Sequence, residues 1–456
     1  MSETCAKVGS PKIRNELVEE LRNLTKSIIC SQLDPDFPNQ VKKVWNARLY
    51  ERKPLLFVYV DSQSDILETL KFCKRHKLPL CISNGGTSMF AQDDGAVVIK
   101  LDKMNDVTVN QECKIVIMEP GAKQSDVDKT TTKYGLVTTL GQASFVGAAG
   151  SGLLLGMGLI GRSFGFAIDN IQAIEMITLS GETITASATQ LQELFWAMKG
   201  FGPNFGIITK IHARLHPIPV KIMAGNLYYA WENSARTLKN MRDFILEKND
   251  KRLAIYGIFS TEKQRGKIIL FLRYVFNGDL DTGQKYLEEF CKKSAPDSWD
   301  VKPMSYSQFQ TTVDYLHPFG NYYFDDLGGF PLVEMSNEII DVLVARYNAL
   351  PSIEEMSGTA CYILTTGGAY SDVPEESSPF LYRASRFQIT NVCSTPNAEF
   401  QSKVVAWLEE TMKCLAPFKM QVDPNVSEKV MEKLRKVKKQ YDPGNFFRHN
   451  INISLE

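Results

Sequence analysis

The sequence predicts an α+β protein built of two lobes, and three observations lead to this prediction. A chain of 456 residues is too long for one hydrophobic core. Up to about residue 220, short strands and a few helices surround an uncharged stretch at 134–161 in which glycine recurs. Beyond it, longer strands alternate with amphipathic helices, which indicates an α/β lobe with an antiparallel sheet. We therefore divide the chain into a helical N-terminal segment (1–48), a first lobe (49–220), a second lobe (221–420) and a C-terminal segment that returns to the first lobe (421–456).

The composition excludes several classes of function. Hydrophobic residues make up 44% of the chain and charged residues 23%, which is typical of a soluble globular protein. Lysine plus arginine equals aspartate plus glutamate at 52 each, so no excess charge indicates a nucleic acid or a membrane as partner. The nine cysteines are scattered without a C-x-x-C pair, as expected for thiols in a reducing compartment. Because the N-terminus has no apolar signal-peptide core, we expect a cytoplasmic protein.

The N-terminal half of the first lobe leads to a candidate phosphate-binding loop. Apolar positions at helical spacing predict an amphipathic helix over 13–30. Residues 53–83 then have the pattern of a β-α-β unit, and its second strand opens directly into Ser83-Asn84-Gly85-Gly86-Thr87-Ser88. A glycine pair after a strand exposes successive N–H groups that suit a pyrophosphate, and a plain tight turn is the alternative.

Three interpretations compete for the stretch 134–161, YGLVTTLGQASFVGAAGSGLLLGMGLIG, which follows short predicted strands and a helix. It is long enough for a membrane span, but its glycines make a poor isolated helix and basic flanks are missing. Gly156, Gly158 and Gly161 give a literal G-x-G-x-x-G, but no uninterrupted strand precedes them. The third interpretation is a glycine-rich wall for a flat, phosphate-bearing cofactor, since only glycine lets the backbone approach so closely. The neighbouring motifs favour this wall.

The last part of the first lobe contains two histidines at the spacing of a helical zinc site. His212 and His216 lie four apart, but the apolar positions around them predict a strand. Four residues of a strand span roughly 13 Å, so we predict no metal site.

The second lobe is predicted to combine five strands, GNLYYAW, LAIYGIFS, KIILFLRYVF, ACYILTTGG and RFQITNV, with helices at 235–248, 281–293, 336–349 and 398–415. A basic helix at 427–440 then leads back to the first lobe.

Four motifs follow one another in a specific order. They are SNGGTS at 83–88, the wall with Asp169-Asn170 after it, LFWAMKGFGPNFGIIT at 194–209 and YDPGNFFRHNINI at 441–453. In this order the chain resembles the berberine bridge enzyme-like flavoproteins, which carry an FAD-binding domain of the p-cresol methylhydroxylase/vanillyl-alcohol oxidase (PCMH) type. The resemblance covers the first lobe and the C-terminal tail strongly and the second lobe loosely. It implies that the first lobe binds FAD and that the second lobe is a substrate cap. Many members are secreted, and the missing signal departs from that pattern.

The resemblance also implies how FAD is held. In the family it is often bonded to a histidine and a cysteine, and the matching positions here are Thr87 and Ala143, which cannot form those bonds. Cys81 lies six residues too early, so we expect non-covalent FAD. Val146 matches a gatekeeper beside the reactive face of the ring, where a small residue is associated with oxygen access, or it is a core valine. The residues expected to line the cofactor are Ser83, Asn84, Gly85, Gly86, Thr87, Ser88, Gly141, Ser144, Val146, Gly147, Gly150, Gly152, Gly206 and Ile207.

The substrate side is predicted on the strand that contains Gln388 and Thr390. These residues alternate with apolar ones, so one polar face should look at the flavin. Some relatives carry a carboxylate base on this strand or a tyrosine before the last helix, and this sequence has neither. Tyr370 and Tyr382, near segments that resemble G-G-A and T-A-F-x-H-R, are the candidate bases, with packing as the alternative for each.

Two functions from different classes follow from these expectations. The first is an FAD-dependent oxidase or dehydrogenase of secondary metabolism that takes a hydride from an alcohol, amine or activated carbon of a small, largely apolar molecule, with oxygen as acceptor. The second is a cyclase or isomerase on the same fold with no net redox change, favoured by the lost attachment residues and the missing base. A flavin-carrying binding protein without catalysis is a third alternative.

Overall fold

The computed structural model describes residues 14–262, 266–325 and 329–456 and confirms an α+β fold with antiparallel sheets. The helices are α1 (Asn15–Leu24), α2 (Phe37–Val41), α3 (Gln63–His76), α4 (Gln124–Thr131), α5 (Ala148–Leu153), α6 (Gly161–Phe164), α7 (Ala167–Asn170), α8 (Gln192–Phe201), α9 (Ser234–Lys248), α10 (Leu280–Ser294), α11 (Tyr306–Thr311), α12 (Asn337–Asn348), α13 (Gln401–Leu415) and α14 (Pro424–Tyr441). In the described part of the chain, none of them has the length and apolar character that a membrane crossing requires.

The first sheet has four strands in the order β1-β2-β4-β3. They are β1 (Ile28–Ser31), β2 (Leu56–Tyr59), β3 (Leu80–Ser83) and β4 (Val97–Lys100). The strands β2 and β3 of the predicted β-α-β unit are both parallel to β4, which lies between them. Between them, α3 begins at Ser62, whose hydroxyl accepts a hydrogen bond from the Asp65 N–H, and it ends at Lys77 in the left-handed conformation. This unit delivers the loop 83–88 to the edge of the sheet where β3 ends.

The predicted helix over 13–30 is too long. The helix ends at Leu24, and residues 28–31 form β1, which pairs antiparallel with β2. Residue 13 lies outside the described residues.

The second sheet has five antiparallel strands in the order β5-β6-β10-β8-β9. They are β5 (Val107–Asn110), β6 (Ile115–Met118), β8 (Ile171–Ile177), β9 (Thr183–Ser187) and β10 (Ile207–Arg214), and a separate pair joins β7 (Leu136–Val137) to β11 (His216–Pro217). The glycine-rich wall, residues 134–161, consists of β7, α5 and irregular chain up to the start of α6. It is not one helix, so the membrane-span alternative is wrong.

The second lobe is built on a sheet of nine strands with four long helices on one face. The strands are β12 (Ile222–Tyr229), β13 (Leu253–Glu262), β14 (Lys267–Phe276), β15 (Ser298–Trp299), β16 (Lys302–Met304), β17 (Tyr322–Asp325), β18 (Phe330–Leu332), β19 (Ala360–Thr365) and β20 (Phe387–Thr395). Their order is β15-β12-β14-β13-β19-β20-β17, with β16 paired to β12 and β18 to β20. One face packs its apolar side chains against α9, α10, α12 and α13. The other face packs against α11 and against wall residues such as Leu159 and Ile160.

A buried ion pair joins the two lobes behind the wall. Asp169 and Arg383 are almost fully buried, with oxygen–nitrogen distances of 2.7 and 3.0 Å. The same carboxylate accepts a hydrogen bond from the Phe166 N–H at the start of α7. The arrangement gives the motif Asp169-Asn170 a structural role, because it fixes the chain that leaves the wall to a residue of the second lobe.

Candidate cofactor and substrate site

The loop that follows β3 lies backbone to backbone against the wall. A Cβ atom on Gly85 would lie 2.5 Å from the backbone nitrogen of Gly147, so only glycine permits this contact. Gly86 has a φ of +65°, a left-handed conformation that glycine adopts without strain. Beneath the loop, the buried Lys100 ammonium donates a hydrogen bond to the Ser83 hydroxyl at 3.0 Å, and burial lowers the pKa of Lys100. The loop is therefore held by the wall on one side and by β4 on the other.

A largely apolar cavity opens where this loop, the wall and the C-terminal tail meet. A Cβ atom on Gly150 would point into open space, since its nearest neighbour, Asn84 Nδ2, would be 4.0 Å away. Two buried polar atoms of the lining, His449 Nε2 and Asn450 Oδ1, have no hydrogen-bond partner among the described residues. Bare glycine backbone and such polar atoms fit a large cofactor that carries hydroxyl and phosphate groups. The cavity is lined by Leu80, Ile82, Asn84, Ser88, Phe90, Leu101, Pro120, Ala149, Gly150, Leu153, Leu154, Phe201, Pro203, Asn204, Gly206, Ile208, Phe447, His449, Asn450 and Ile451.

Four of the residues expected at the cofactor line this cavity: Asn84, Ser88, Gly150 and Gly206. Ile207 is not among the lining residues of this cavity. Its side chain packs in the core under the first sheet, and Ile208 points into the cavity instead. The reason is the alternation of side chains along β10, which places neighbouring residues on opposite faces.

Two further expected cofactor residues are engaged by protein groups. Ser144 donates hydrogen bonds from its N–H (3.0 Å) and its hydroxyl to the carboxylate of Asp314 in the second lobe. Gly141 donates its N–H to the Gln124 side chain at 2.9 Å, and its carbonyl accepts from Gln124 and Gln310. Both therefore hold the lobes together, a role that we did not predict. The other expected residues belong to the loop and wall outside the cavity lining: Ser83, Gly85, Gly86, Thr87, Val146, Gly147 and Gly152.

The positions of the lost attachment residues lie on the loop and the wall. Thr87 and Ala143 are both half-buried. Cys81 is fully buried in β3, and burial raises the pKa of its thiol, so the thiolate needed for attachment to a cofactor is disfavoured. Within the described ranges, no group of three or more histidine, cysteine, aspartate or glutamate side chains could hold a metal ion. His212 and His216 contact Glu175 and Asn170 separately.

A segment of the second lobe, residues 314–320, covers the region of the two attachment positions. Asp314 binds Ser144, next to Ala143, and the Phe319 ring contacts the Phe145 ring of the wall at 5.6 Å. On the other side, the Trp45 N–H donates to the carbonyl of Gly86, next to Thr87, and the indole N–H donates to the carbonyl of His317. The segment therefore contacts the wall next to Ala143 directly and the loop next to Thr87 through Trp45.

His317, in the middle of this segment, forms a short hydrogen bond through Nε2 with the hydroxyl of Tyr362. Burial lowers the pKa of His317 to about 4, so the imidazole is neutral at physiological pH. Burial raises the pKa of Tyr362, so its hydroxyl keeps its hydrogen. Sequence reasoning missed this pair, because neither residue lies in a motif.

Tyr362 belongs to the sheet face that we expected to look at the flavin. On β19 it lies directly opposite Thr390 of β20, and Leu364 lies opposite Gln388. On β14, Arg273 faces the same side and is almost fully buried, with its guanidinium donating to the Phe309 carbonyl at 2.9 Å. Burial lowers the pKa of Arg273 to about 10, so it remains a cation at neutral pH. Apolar side chains of the same face, such as Leu364, separate these polar groups.

The two candidate tyrosine bases lie elsewhere. Tyr370 is buried behind the wall, where its hydroxyl donates to the carbonyl of Gly158 and its ring contacts Phe166 at 4.4 Å. Burial raises the pKa of Tyr370 well above its ordinary value, and this environment favours the packing alternative. The Tyr382 ring has Phe380 and the ammonium of Lys419 as neighbours.

Comparisons with known proteins agree with this geometry. Residues 54–187 match the family described as FAD binding domain, and residues 429–454 match the family described as berberine and berberine like. An FAD-linked oxidoreductase from Dictyostelium discoideum is 26% identical over 464 residues, which is 99% of each chain. The (R)-6-hydroxynicotine oxidase of Paenarthrobacter nicotinovorans is 29% identical over 209 residues, which is 45% of each chain.

Solved structures share the fold over nearly the whole chain. The crystal structure of 6-hydroxy-D-nicotine oxidase from Arthrobacter nicotinovorans superposes with a TM-score of 0.83 at 20% identity, covering 94% of this chain and 98% of that one. A berberine bridge enzyme-like protein from Physcomitrella patens gives a TM-score of 0.84 at 18% identity, with 96% and 99% covered.

Proposed function

We propose that this chain, an FAD-linked oxidoreductase of the berberine bridge enzyme-like family, takes a hydride from an alcohol, amine or activated carbon of a small, largely apolar molecule. The observation that supports this most is the pairing of two surfaces. A cavity built from the loop 83–88, the wall and the tail lies in the first lobe, and the sheet face of the second lobe that bears Tyr362 packs against the wall. FAD supplies the hydride acceptor when it is bound.

The cofactor is held without a covalent bond in this proposal. Asn84 and Ser88 on the loop provide polar groups, and Gly150 and Gly206 leave room for the cofactor against bare backbone. Thr87 and Ala143 supply neither an imidazole nor a thiolate. Oxygen is the proposed electron acceptor.

The substrate is held by Tyr362 in this proposal. Nδ1 of His317 is buried and has no partner among the described residues. We therefore assign the ring proton to Nε2, since a buried N–H without an acceptor costs more than a bare nitrogen. The Tyr362 hydroxyl then accepts from His317 and can donate its own hydrogen to the oxygen or nitrogen of a substrate. Apolar neighbours on the same face, Leu364 and Val392 among them, suit an apolar substrate body.

The experiment is anaerobic mixing of FAD-loaded protein with a panel of benzylic and allylic alcohols and amines. Loss of the visible flavin absorption supports an oxidoreductase, and absorption that persists while product forms supports a cyclase or isomerase. With a compound that reduces the flavin, Tyr362→Phe should lower the apparent second-order rate of reduction about 10-fold, the value of one hydrogen bond of about 1.4 kcal/mol. Tyr286→Phe, on the opposite face of the sheet, serves as the matched control. Equal rates for the two variants would assign Tyr362 to packing.

The second candidate, a cyclase or isomerase with no net redox change, rests on one observation. The residues of β20 expected to face the flavin, Gln388 and Thr390, are neutral, and Asp314 beside the wall is engaged by Ser144. None of these three side chains is a free carboxylate base in this proposal. The mixing experiment separates this candidate from the first.

A further inference from the structure

We infer that the C-terminal tail, residues 447–451, is a wall of the cofactor cavity that the buried pair Lys438–Asp442 sets in place, and that His449 is its contact to FAD. This inference rests on the proposed function, because it places FAD in the cavity beside the loop 83–88. Phe447, His449, Asn450 and Ile451 all line that cavity. The sequence motif at 441–453 indicated the family but assigned no task to any of these side chains.

The anchor of the tail is an ion pair without any exposed surface. The side chains of Lys438, on the last turn of α14, and Asp442 are both 0% exposed, with a nitrogen–oxygen distance of 2.7 Å. The ammonium also donates to the carbonyls of Asn204 (2.8 Å) and Phe447 (3.1 Å), so its three hydrogens are all used. The carboxylate accepts from the N–H group of Phe447 at 2.8 Å. One buried pair therefore fixes the first residue of the tail through both its N–H and its carbonyl.

A second link holds the far end of the tail through Asn204. The side-chain amide of Asn204 donates to the Ile451 carbonyl at 3.0 Å, and its oxygen accepts from the Ile453 N–H at 2.9 Å. Asn204 is itself part of the cavity lining, and its carbonyl binds Lys438. The anchor and this link therefore meet at one residue, so a shift of the tail changes the shape of the cavity directly.

His449 is the tail residue whose ring nitrogen Nε2 can bind a ligand. Its Nδ1 lies 2.9 Å from a carboxylate oxygen of Asp93, which is also paired with Arg52 at 3.0 Å. We assign the tautomer in which Nδ1 donates to this carboxylate and Nε2 is left as an acceptor. That Nε2 is buried and has no described partner, and the ring lines the cavity together with Asn84 and Ser88. The chemistry that it recognises is a hydroxyl group of FAD.

The test is titration of the apoprotein with FAD, followed by flavin fluorescence, together with hydrogen exchange of residues 443–453. If Lys438→Met leaves the tail in place in only about 1–10% of molecules, the apparent Kd for FAD rises about 10- to 100-fold. Exchange in the tail of this variant should also be faster. Lys436→Met, on the same helix but exposed, is the matched control and should keep the wild-type Kd.

His449→Leu should raise the Kd about 2- to 10-fold, the range expected for one hydrogen bond, with unchanged exchange in the tail. Its matched control is His76→Leu, a half-buried histidine that contacts Glu20 far from the cavity. A wild-type Kd in both folded variants overturns the inference, and if Lys438→Met fails to fold, His449→Leu alone decides. Wild-type protein that does not bind FAD refutes the proposed function instead.

Discussion

Replacing Gly85 by alanine tests whether the contact between loop and wall shapes the cofactor site. The added Cβ atom would lie 2.5 Å from the nitrogen and 2.7 Å from the Cα of Gly147, and these backbone atoms cannot rotate away. An ordinary separation of about 3.4 Å requires the loop to move by roughly 0.9 Å. Overpacking of this kind costs about 1–3 kcal/mol. Since the loop carries Asn84 and Ser88, we expect this cost to appear in binding, as a Kd for FAD raised about 5- to 150-fold.

The assay is fluorescence titration of the apoprotein, combined with thermal unfolding at several FAD concentrations. Gly444→Ala is the matched control, because a Cβ atom there would meet nothing within 4 Å. A wild-type Kd and a wild-type Tm for Gly85→Ala would refute the contact. A lowered Tm with an unchanged Kd would show that the loop is strained but does not contact the cofactor.

Three further predictions concern the cofactor, acid stability and oxygen. Since Thr87 and Ala143 replace both attachment residues, denaturation in acid should release all flavin, and fluorescence that stays on the protein band of a denaturing gel would contradict this. The folded pKa of His317, about 4 against the ordinary 6.5, means that the unfolded chain binds this proton first as the pH falls. Stability should therefore be intact above about pH 6.5 and decrease towards pH 4, by about 3 kcal/mol, and His317→Gln should flatten this part of a profile of Tm against pH. If Val146 lies beside the ring, Val146→Leu should slow reoxidation of the photoreduced enzyme by oxygen about 5- to 150-fold in stopped-flow, and equal rates would assign Val146 to the core.

The sequence contains enough local pattern to predict the fold class and most elements. Helical periodicity and strand alternation are properties of neighbouring residues, so α3 and the hairpin of β8 and β9 could be placed from them. The helix predicted over 13–30 fails because Ile28 continues the helical spacing of apolar residues. What decides that segment is pairing with β2, in which Ile28 lies opposite Tyr59, and no local pattern reports it.

The candidate site could likewise be predicted where it rests on neighbouring residues, but not where it rests on contacts between distant ones. The loop and the wall are continuous in sequence and could be expected from their glycines. The bond between Ser144 and Asp314 joins residues 170 positions apart, and that between His317 and Tyr362 joins residues 45 apart. A motif identifies a segment and not the face that each side chain takes, so it does not distinguish Ile207, which lies in the core, from Ile208, which lines the cavity.

Because the sequence lacks both attachment residues, the proposed complex depends on non-covalent contacts to retain FAD. A covalent bond retains a cofactor while its pocket opens and closes, whereas a non-covalent cofactor is retained only to the extent that the closed pocket is populated. Three contacts fix the segments that surround this pocket. Gly85 meets Gly147 where the loop joins the wall, Lys438 fixes the tail, and Asp314 joins the second lobe to Ser144. Each contact is made by backbone or by a largely buried charged group, which leaves little freedom for partial opening. In the proposed non-covalent complex, these contacts are what retain FAD.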